Sequence, residues 1–101
     1  MTQKYDVVLN APLGQRFGTL VLETAGGDVK GSFFLLGFEN PVRGRCTGQT
    51  LGLKHTLRTL LSTLDCETHA ELRGDALFGV VRSRHSCMEL RGKKQEEGQK
   101  T

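Results

Sequence analysis

Three histidines are the residues of this 101-residue chain with the best chemistry for holding a metal ion. His55, His69 and His85 follow one another at intervals of 14 and 16 residues, so no two of them form a close ligand pair. Zinc needs three or four ligands that converge on one point, and short ligand spacings are the usual sequence sign of such a site. The histidine spacing therefore predicts no metal site and no metal cofactor.

Three cysteines are the candidate nucleophiles. Cys46, Cys66 and Cys87 make an odd count without a close pair, which favours free thiols in a reducing compartment over a disulfide. Cys46 and Cys66 share the apolar phase of their segments and are expected to pack as small hydrophobic residues. Cys87 has the outward phase beside Glu89, and a neighbouring carboxylate disfavours a thiolate. We therefore expect no enzymatic activity and no cofactor.

The elements that position these residues are β-strands. From Leu64 to Arg73, apolar or small side chains alternate with charged ones. This period-two pattern is typical of a strand with one buried and one exposed face. Gly74-Asp75 then supplies a turn, and the β-rich run from Ala76 to Val81 follows directly. This alternation places His55 on a buried face and His69 on an exposed one, while His85 is expected in a turn.

Turn residues recur along the chain at a period of about 24 residues. Gly14 and Ser62 lie 48 residues apart, Ser86 lies 24 residues beyond Ser62, and Gly37-Phe38 falls at the missing mark. Glycine-containing turns come halfway between these positions, so the chain is divided into four hairpins. We therefore predict an all-β fold, an eight-stranded antiparallel up-and-down meander barrel whose closure leaves no open edge.

The boundaries of this barrel follow from breaks in the pattern. A single domain is expected over residues 1–92, and the polar residues 93–101 are expected to form a disordered tail. The Asn40-Pro41 pair is expected to separate the third strand from a fourth strand over Val42 to Thr47. The segment from Leu53 to Leu64 also fits helical spacing. Its Thr and Ser residues are poor helix formers, so a hairpin is favoured there and a short helix is the alternative.

Three short motifs carry a family resemblance. They are Ala11-Pro12-Leu13-Gly14, Gly18-Thr19-Leu20-Val21-Leu22, and Leu36-Gly37 with Asn40-Pro41-Val42-Arg43-Gly44. The chain resembles a family of small, mostly uncharacterised bacterial proteins with Thr-Pro-Met-Gly turns followed by Gly-Thr-Leu-Xaa-Leu strands. The resemblance implies a compact β-barrel of lipocalin-like or streptavidin-like appearance, and it carries over no catalytic residue.

The turns at one end of the predicted barrel are unusually apolar for loops. Their large apolar residues are Leu13, Leu36, Phe38, Leu60 and Leu61. A mouth formed by Leu13, Phe38 and Leu61 would admit a small apolar ligand, to which the inward His55 would offer a polar contact. The small residues of the buried face, which include Gly31, Gly44 and Gly79, favour an interior with room for that ligand. In the alternative interpretation the apolar turns simply close the barrel end.

Several apolar residues have the outward phase of their strands. They are Val8, Val21, Phe34, Phe78 and Val80. Exposed apolar patches of this kind are typical of surfaces that another subunit covers. The second functional hypothesis is therefore a homo-oligomer, with a dimer favoured, whose interface contains Val8, Val21, Phe34 and Val80.

Nucleic acid is a third and weaker hypothesis. The net charge is +3, and the basic residues Arg43, Arg45, Lys54 and Arg58 fall on neighbouring strands. No aromatic residue is interleaved with them to stack on bases, so the pattern does not favour this partner. The chain also has no apolar run of membrane length and no basic-then-apolar start. We expect a cytoplasmic protein with no membrane partner.

Overall fold

In the computed structural model, eight strands close into one antiparallel barrel in which every strand pairs with its sequence neighbours and β8 pairs with β1. The structure describes residues 2–12, 14–84 and 86–95. The strands are β1 (Thr2–Ala11), β2 (Gly14–Ala25), β3 (Asp28–Leu35), β4 (Phe38–Thr47), β5 (Thr50–Arg58), β6 (Thr63–Arg73), β7 (Ala76–Ser83) and β8 (Cys87–Lys94). The predicted fold class, an up-and-down meander barrel, is confirmed.

The segment with ambiguous spacing forms a hairpin. β5 ends at Arg58 and β6 begins at Thr63, and the backbone N–H of Thr59 closes the turn by donating to the carbonyl oxygen of Ser62 at 2.8 Å. The favoured prediction for residues 53–64 is therefore right, and the helical alternative is wrong. Over the described ranges, the structure contains no helix that is long and apolar enough to cross a membrane.

The predicted inward phase is confirmed on every strand. Alternate residues of each strand point into the barrel, where eighteen hydrophobic side chains of the described residues are buried. The largest of those that are fully buried include Tyr5, Phe33, Leu20, Leu51 and Leu90. Removing such side chains from water contributes roughly 1.5–3 kcal/mol each, which makes this interior the main source of stability. The barrel is flattened, with principal extents of 36 × 32 × 20 Å.

The predicted break at Asn40-Pro41 is wrong, because both residues lie inside β4. The ladder between β3 and β4 continues past them, with Phe33 opposite Asn40 and Ser32 opposite Pro41. On the other side of β4, the ladder to β5 stops at the pair Val42 and His55. Proline has no N–H to donate, so the strand continues while only one of its two ladders is interrupted.

Side chains replace the missing rungs of that ladder. Continuing the register of β4 and β5 would place Pro41 opposite Thr56 and Asn40 opposite Leu57, the residue before Arg58. The carbonyl oxygen of Thr56 instead accepts a hydrogen bond from Nδ1 of His55 at 3.1 Å. The backbone N–H of Arg58 donates to Oδ1 of Asn40 at 3.0 Å. The buried side chains of His55 and Asn40 therefore supply hydrogen bonds to β5 where the ladder between β4 and β5 is interrupted at Pro41.

Inward-facing glycines lie where neighbouring backbones approach each other. A Cβ atom on Gly44 would lie 1.7 Å from the carbonyl oxygen of Gly52, and one on Gly31 would lie 1.8 Å from that of Val21. These distances are far below van der Waals contact, so only glycine fits at either position. The volume that a larger residue would occupy is already filled by backbone, and glycine at these positions does not leave an open interior.

The glycine turns at one barrel end repeat the same contact. The turn carbonyl oxygens of Gly27, Gln49 and Asp75 each accept a hydrogen bond from the next hairpin, at 2.7 to 2.8 Å. The donors are the backbone N–H groups of Cys46, Leu72 and Lys94. The bond donated by Lys94 lies at the last residue of β8. The strand therefore ends two residues beyond residue 92, the predicted limit of the domain. The rest of the predicted tail, residues 96–101, lies outside the described residues.

Candidate functional site

His55 is buried, as its phase predicts, and it occupies a polar position in the barrel interior. Its Nδ1 atom must carry the proton, because the Thr56 carbonyl oxygen that it contacts can only accept. Nε2 then accepts a hydrogen bond from Oγ1 of Thr68 at 2.6 Å. The ring also packs against Phe33 at a centroid distance of 5.7 Å. Both ring nitrogens are thus occupied by protein groups, and burial lowers the pKa of His55.

Cys66 lies next to His55 without forming a nucleophile–base pair with it. The two residues are opposite each other on β5 and β6, yet Sγ of Cys66 donates to the carbonyl oxygen of Leu64 at 3.8 Å. Burial raises the pKa of the Cys66 thiol, and the charge of Asp65 raises it further. A raised thiol pKa and an imidazole whose two nitrogens are both hydrogen-bonded are the opposite of an activated nucleophile–base pair. Cys66 and His55 are instead buried neighbours in the barrel interior.

A cleft opens beside this pair, where the ladder between β6 and β7 ends at Cys66 and Ser83. Its volume is about 470 Å³, and it is lined by the inward-facing His55, Cys66 and Ser83 and by charged residues of the outer wall, Lys54, Asp65, Glu67 and Arg82. The two carboxylates balance the two cations, so the cleft has no excess of either charge. Throughout the described residues, no group of three or more His, Cys, Asp and Glu side chains is placed to hold a metal ion.

The other two predicted histidine positions contribute little to this cleft. His69 is exposed on the outer wall, where Nε2 contacts Oε1 of Glu67 at 3.4 Å. The predicted turn position of His85 lies outside the described residues. The free cysteines Cys46 and Cys87 are half-buried and exposed respectively.

The apolar turns lie at one barrel end, as predicted, but they do not converge on an opening. Leu61 is 95% exposed and Leu60 is 92% exposed, so both project away from the barrel axis into solvent. Phe38 is half-buried beneath the guanidinium carbon of Arg58, which lies 5.9 Å from the ring centroid. The contribution of Leu13 lies outside the described residues. The structure therefore separates Leu61 from His55 instead of bringing them to one pocket.

The outward phase predicted for Val8, Val21, Phe34, Phe78 and Val80 is confirmed, and the structure adds Phe17 to them. We call this surface the outer apolar face, and it consists of Val8, Phe17, Val21, Phe34, Phe78 and Val80. Phe17, Phe78 and Phe34 are 71%, 46% and 40% exposed. Phe17 was missed by the pattern analysis, although it shares the outward phase of Thr19 and could have been assigned from that alternation.

The strand register makes the outer apolar face continuous. Phe17 lies opposite Val8, Val8 lies opposite Arg91, and Arg91 lies opposite Phe78, so one row crosses β2, β1, β8 and β7. Phe34 stands opposite the next outward residue of β2 and is a diagonal neighbour of Phe17. Diagonal pairs are about 7–8 Å apart, which is within reach of an aromatic ring. Arg91 stands between Val8 and Phe78 in this row, and its guanidinium group pairs with Glu89 at 3.6 Å.

The basic residues form a short row on the opposite wall. Arg43 on β4 lies directly between Lys30 on β3 and Lys54 on β5. Glu23 and Glu67 stand at the two ends of this row, so its net charge is small. Arg45 lies outside the row and pairs with Asp28 at 3.3 Å. The row contains no aromatic side chain, as expected, and base stacking has no platform there.

Comparisons of the chain with protein-family models, with curated proteins and with solved structures found no match. The resemblance to small bacterial β-barrel proteins therefore stays a prediction. The geometry of the described residues identifies the outer apolar face and the exposed leucines of the β5–β6 turn as the surfaces to explain.

Proposed function

We propose that this protein is a non-catalytic β-barrel module that assembles with further copies of itself through the outer apolar face. The observation that carries the proposal is the exposure of Phe17, which leaves 71% of an aromatic residue in water directly opposite Val8 and diagonal to the exposed Phe34. Burying that surface is worth about 25 cal/mol per Å² before the costs of association are subtracted. Contiguous exposed aromatic surface on a folded domain is typical of an interface.

The barrel interior supports a structural role over a catalytic one. Its polar groups are engaged with each other, since His55 bonds to both Thr56 and Thr68. The buried amide of Asn40 is likewise engaged at both ends, with Phe33 and Arg58. Within the described ranges, no buried side-chain nitrogen or oxygen lacks a hydrogen-bond partner. An active site usually leaves a buried polar group for the substrate, so we assign the function to the outer surface.

The experiment compares molar mass by light scattering across a range of concentrations. Wild-type protein is expected to form oligomers, and the double variant Phe17→Ser with Phe78→Ser is expected to stay monomeric. Arg43→Ser is the matched control, because it removes a large exposed side chain from the opposite wall. Assembly that survives the double variant unchanged would contradict the proposal.

Binding of a small apolar ligand is the second candidate function. The concentration of exposed Leu36, Leu60 and Leu61 at one barrel end supports it. A fluorescence titration with an apolar probe tests it, and saturable binding to monomeric protein that Leu61→Asp weakens would favour the ligand. Probe binding that disappears with Phe17→Ser, and not with Leu61→Asp, would assign the signal to the outer apolar face.

A further inference from the structure

We propose that assembly is head-to-tail, with the β5–β6 turn of one copy seated on the outer apolar face of the next. The inference rests on the proposed function, because it specifies the interface through which the copies assemble. We call Leu60 and Leu61 the leucine tip. They are the most exposed large hydrophobic side chains of the described chain, at 92% and 95%.

The leucine tip is presented by an ordered turn. Oγ1 of Thr59 accepts hydrogen bonds from the backbone N–H groups of Leu61 at 3.2 Å and Ser62 at 3.0 Å. The backbone N–H of Thr59 donates to the carbonyl oxygen of Ser62 at 2.8 Å. These bonds fix the turn backbone without using either leucine side chain. Little conformational entropy is therefore lost when a partner covers the tip, which favours binding.

The leucine tip and the outer apolar face are separate surfaces, since the tip lies in the turn at one barrel end and the face lies on the outer wall. In the closed strand order, β5 lies four strands from β1 and β6 lies four strands from β2, while β7, which carries Phe78 and Val80, is next to β6. A two-fold contact between two outer apolar faces would leave both leucine tips in water. A head-to-tail contact covers the tip of one copy and the face of the other within a single interface. It therefore accounts for both exposed apolar features.

The dimensions of the two surfaces match. Phe17 and Phe78 belong to β2 and β7, which are separated by three strand spacings, or roughly 14 Å at about 4.8 Å each. A hairpin tip is one strand spacing wide plus its side chains, so it fits between the two rings. Val8, which is half-buried, and Arg91, which is exposed, lie between them. The leucines would replace water against two aromatic rings, a valine and the alkyl chain of the arginine.

Charged residues border both surfaces. Arg58 and Asp65 lie on the two strands that the turn of the leucine tip connects. Glu89 and Arg91 lie on the strand that crosses the outer apolar face, where they pair with each other at 3.6 Å. Charge pairs formed between copies would select the orientation of the tip more than they would add affinity.

A head-to-tail interface generates a ring when its rotation closes and an open chain when it does not. In an open chain, only the two terminal copies have an uncovered surface, which is a leucine tip at one end and an outer apolar face at the other. This property separates the proposal from a two-fold dimer, in which every copy uses the same surface. It also means that two differently disabled copies can still form one intact contact between them.

The experiment mixes two variants that are disabled on opposite sides. The tip variant carries Leu60→Ser and Leu61→Ser, and the face variant carries Phe17→Ser and Phe78→Ser. Each is expected to be monomeric alone, with self-association weakened roughly 100-fold or more by the lost apolar burial. Mixed in equal amounts, they are expected to form a heterodimer and nothing larger, because only one intact tip and one intact face remain.

Each alternative outcome is decisive. A tip variant that assembles like wild type, or a mixture that stays monomeric while wild type assembles, would overturn the head-to-tail interface and leave self-association through the outer apolar face intact. Wild-type protein that stays monomeric would overturn the proposed function as well. Circular dichroism checks the fold of each variant, and the single substitution Phe17→Ser replaces the face variant if the double variant does not fold.

Discussion

The side chain of Asn40 replaces a backbone acceptor for Arg58. Its Oδ1 atom accepts the Arg58 N–H at 3.0 Å, while its Nδ2 atom donates to the carbonyl oxygen of Phe33 at 3.0 Å. The amide therefore connects β3 and β5 across β4 at the place where Pro41 cannot donate a hydrogen bond. Asn40 is completely buried, so water cannot substitute for it.

Replacement of Asn40 by Ala should lower the free energy of unfolding by roughly 2–3 kcal/mol, because a buried N–H and a buried C=O lose their partner. Urea denaturation measures the change. The matched control is Asn10→Ala, which removes an exposed side-chain bond between Nδ2 and Oε1 of Glu89. That control should cost no more than about 0.5 kcal/mol. Equal losses of unfolding free energy in the two variants would show that the buried hydrogen bonds of Asn40 stabilise the barrel no more than an exposed one does.

Replacement of Gly44 by Ala should destabilise the barrel by about 3 kcal/mol or more, because the new methyl group would overlap the backbone of β5. Gly52→Ala is the matched control on the partner strand. A Cβ atom there meets only Nδ1 of His69, at 3.9 Å, which is ordinary contact. Thermal unfolding should therefore separate the two variants clearly, and similar melting temperatures would mean that β4 and β5 are not in close approach at Gly44.

The buried His55 should make stability depend on pH in the mildly acidic range. Burial lowers its pKa in the folded state, so the unfolded chain binds the proton first as the pH falls. The free energy of unfolding should decline below about pH 6.5, by at most about 1.4 kcal/mol per pH unit, and level off below the folded-state pKa. Above about pH 6.5 this contribution should not change.

Denaturation at a series of pH values compares wild type with His55→Gln. The variant should lose most of the slope between neutral pH and the range in which carboxylates begin to titrate. His69→Gln, which changes an exposed histidine, should keep the slope. An unchanged slope in His55→Gln would contradict the assignment of this pH dependence to the buried ring.

Leu36 is the one described non-glycine residue with a positive φ, at 57°. A β-carbon in the left-handed region costs roughly 1 kcal/mol, and Asn tolerates that region better than Leu. Leu36→Asn should therefore raise the free energy of unfolding by about 0.5–1 kcal/mol. Leu60→Asn is the control, since it also removes an exposed leucine but from a position without positive φ. Stabilisation by both variants would assign the effect to lost surface apolarity instead of backbone strain.

The fold was predictable because the alternation along each strand is almost unbroken. That alternation placed Val8 and Phe34 on the outer wall and His55 in the interior, and the spacing of the turns gave the strand count. The same evidence failed at Asn40-Pro41, because proline interrupts a ladder on one side only and the compensation comes from side chains. Periodicity records which face a residue occupies and does not record the partners that it finds there.

The candidate surfaces were predictable only in part. Exposed leucines at one barrel end were expected from the composition of the turns, but their projection away from the axis depends on how Thr59 and Ser62 close the turn. The small residues of the interior gave an expectation of open volume. At Gly31 and Gly44 the neighbouring backbone occupies that volume. A glycine inside a strand is compatible with an open interior or with a close backbone approach, and local sequence does not distinguish the two.

Sedimentation velocity of the wild-type protein from about 10 μM to about 1 mM is the most direct measurement of the central claim, because a contact this small is expected to be of micromolar strength. If the outer apolar face binds a second copy, the weight-average mass should rise with concentration above the 11.1 kDa of one chain. The Phe17→Ser and Phe78→Ser double variant should stay at that mass throughout. A wild-type mass that stays at one chain over the whole range would contradict the account.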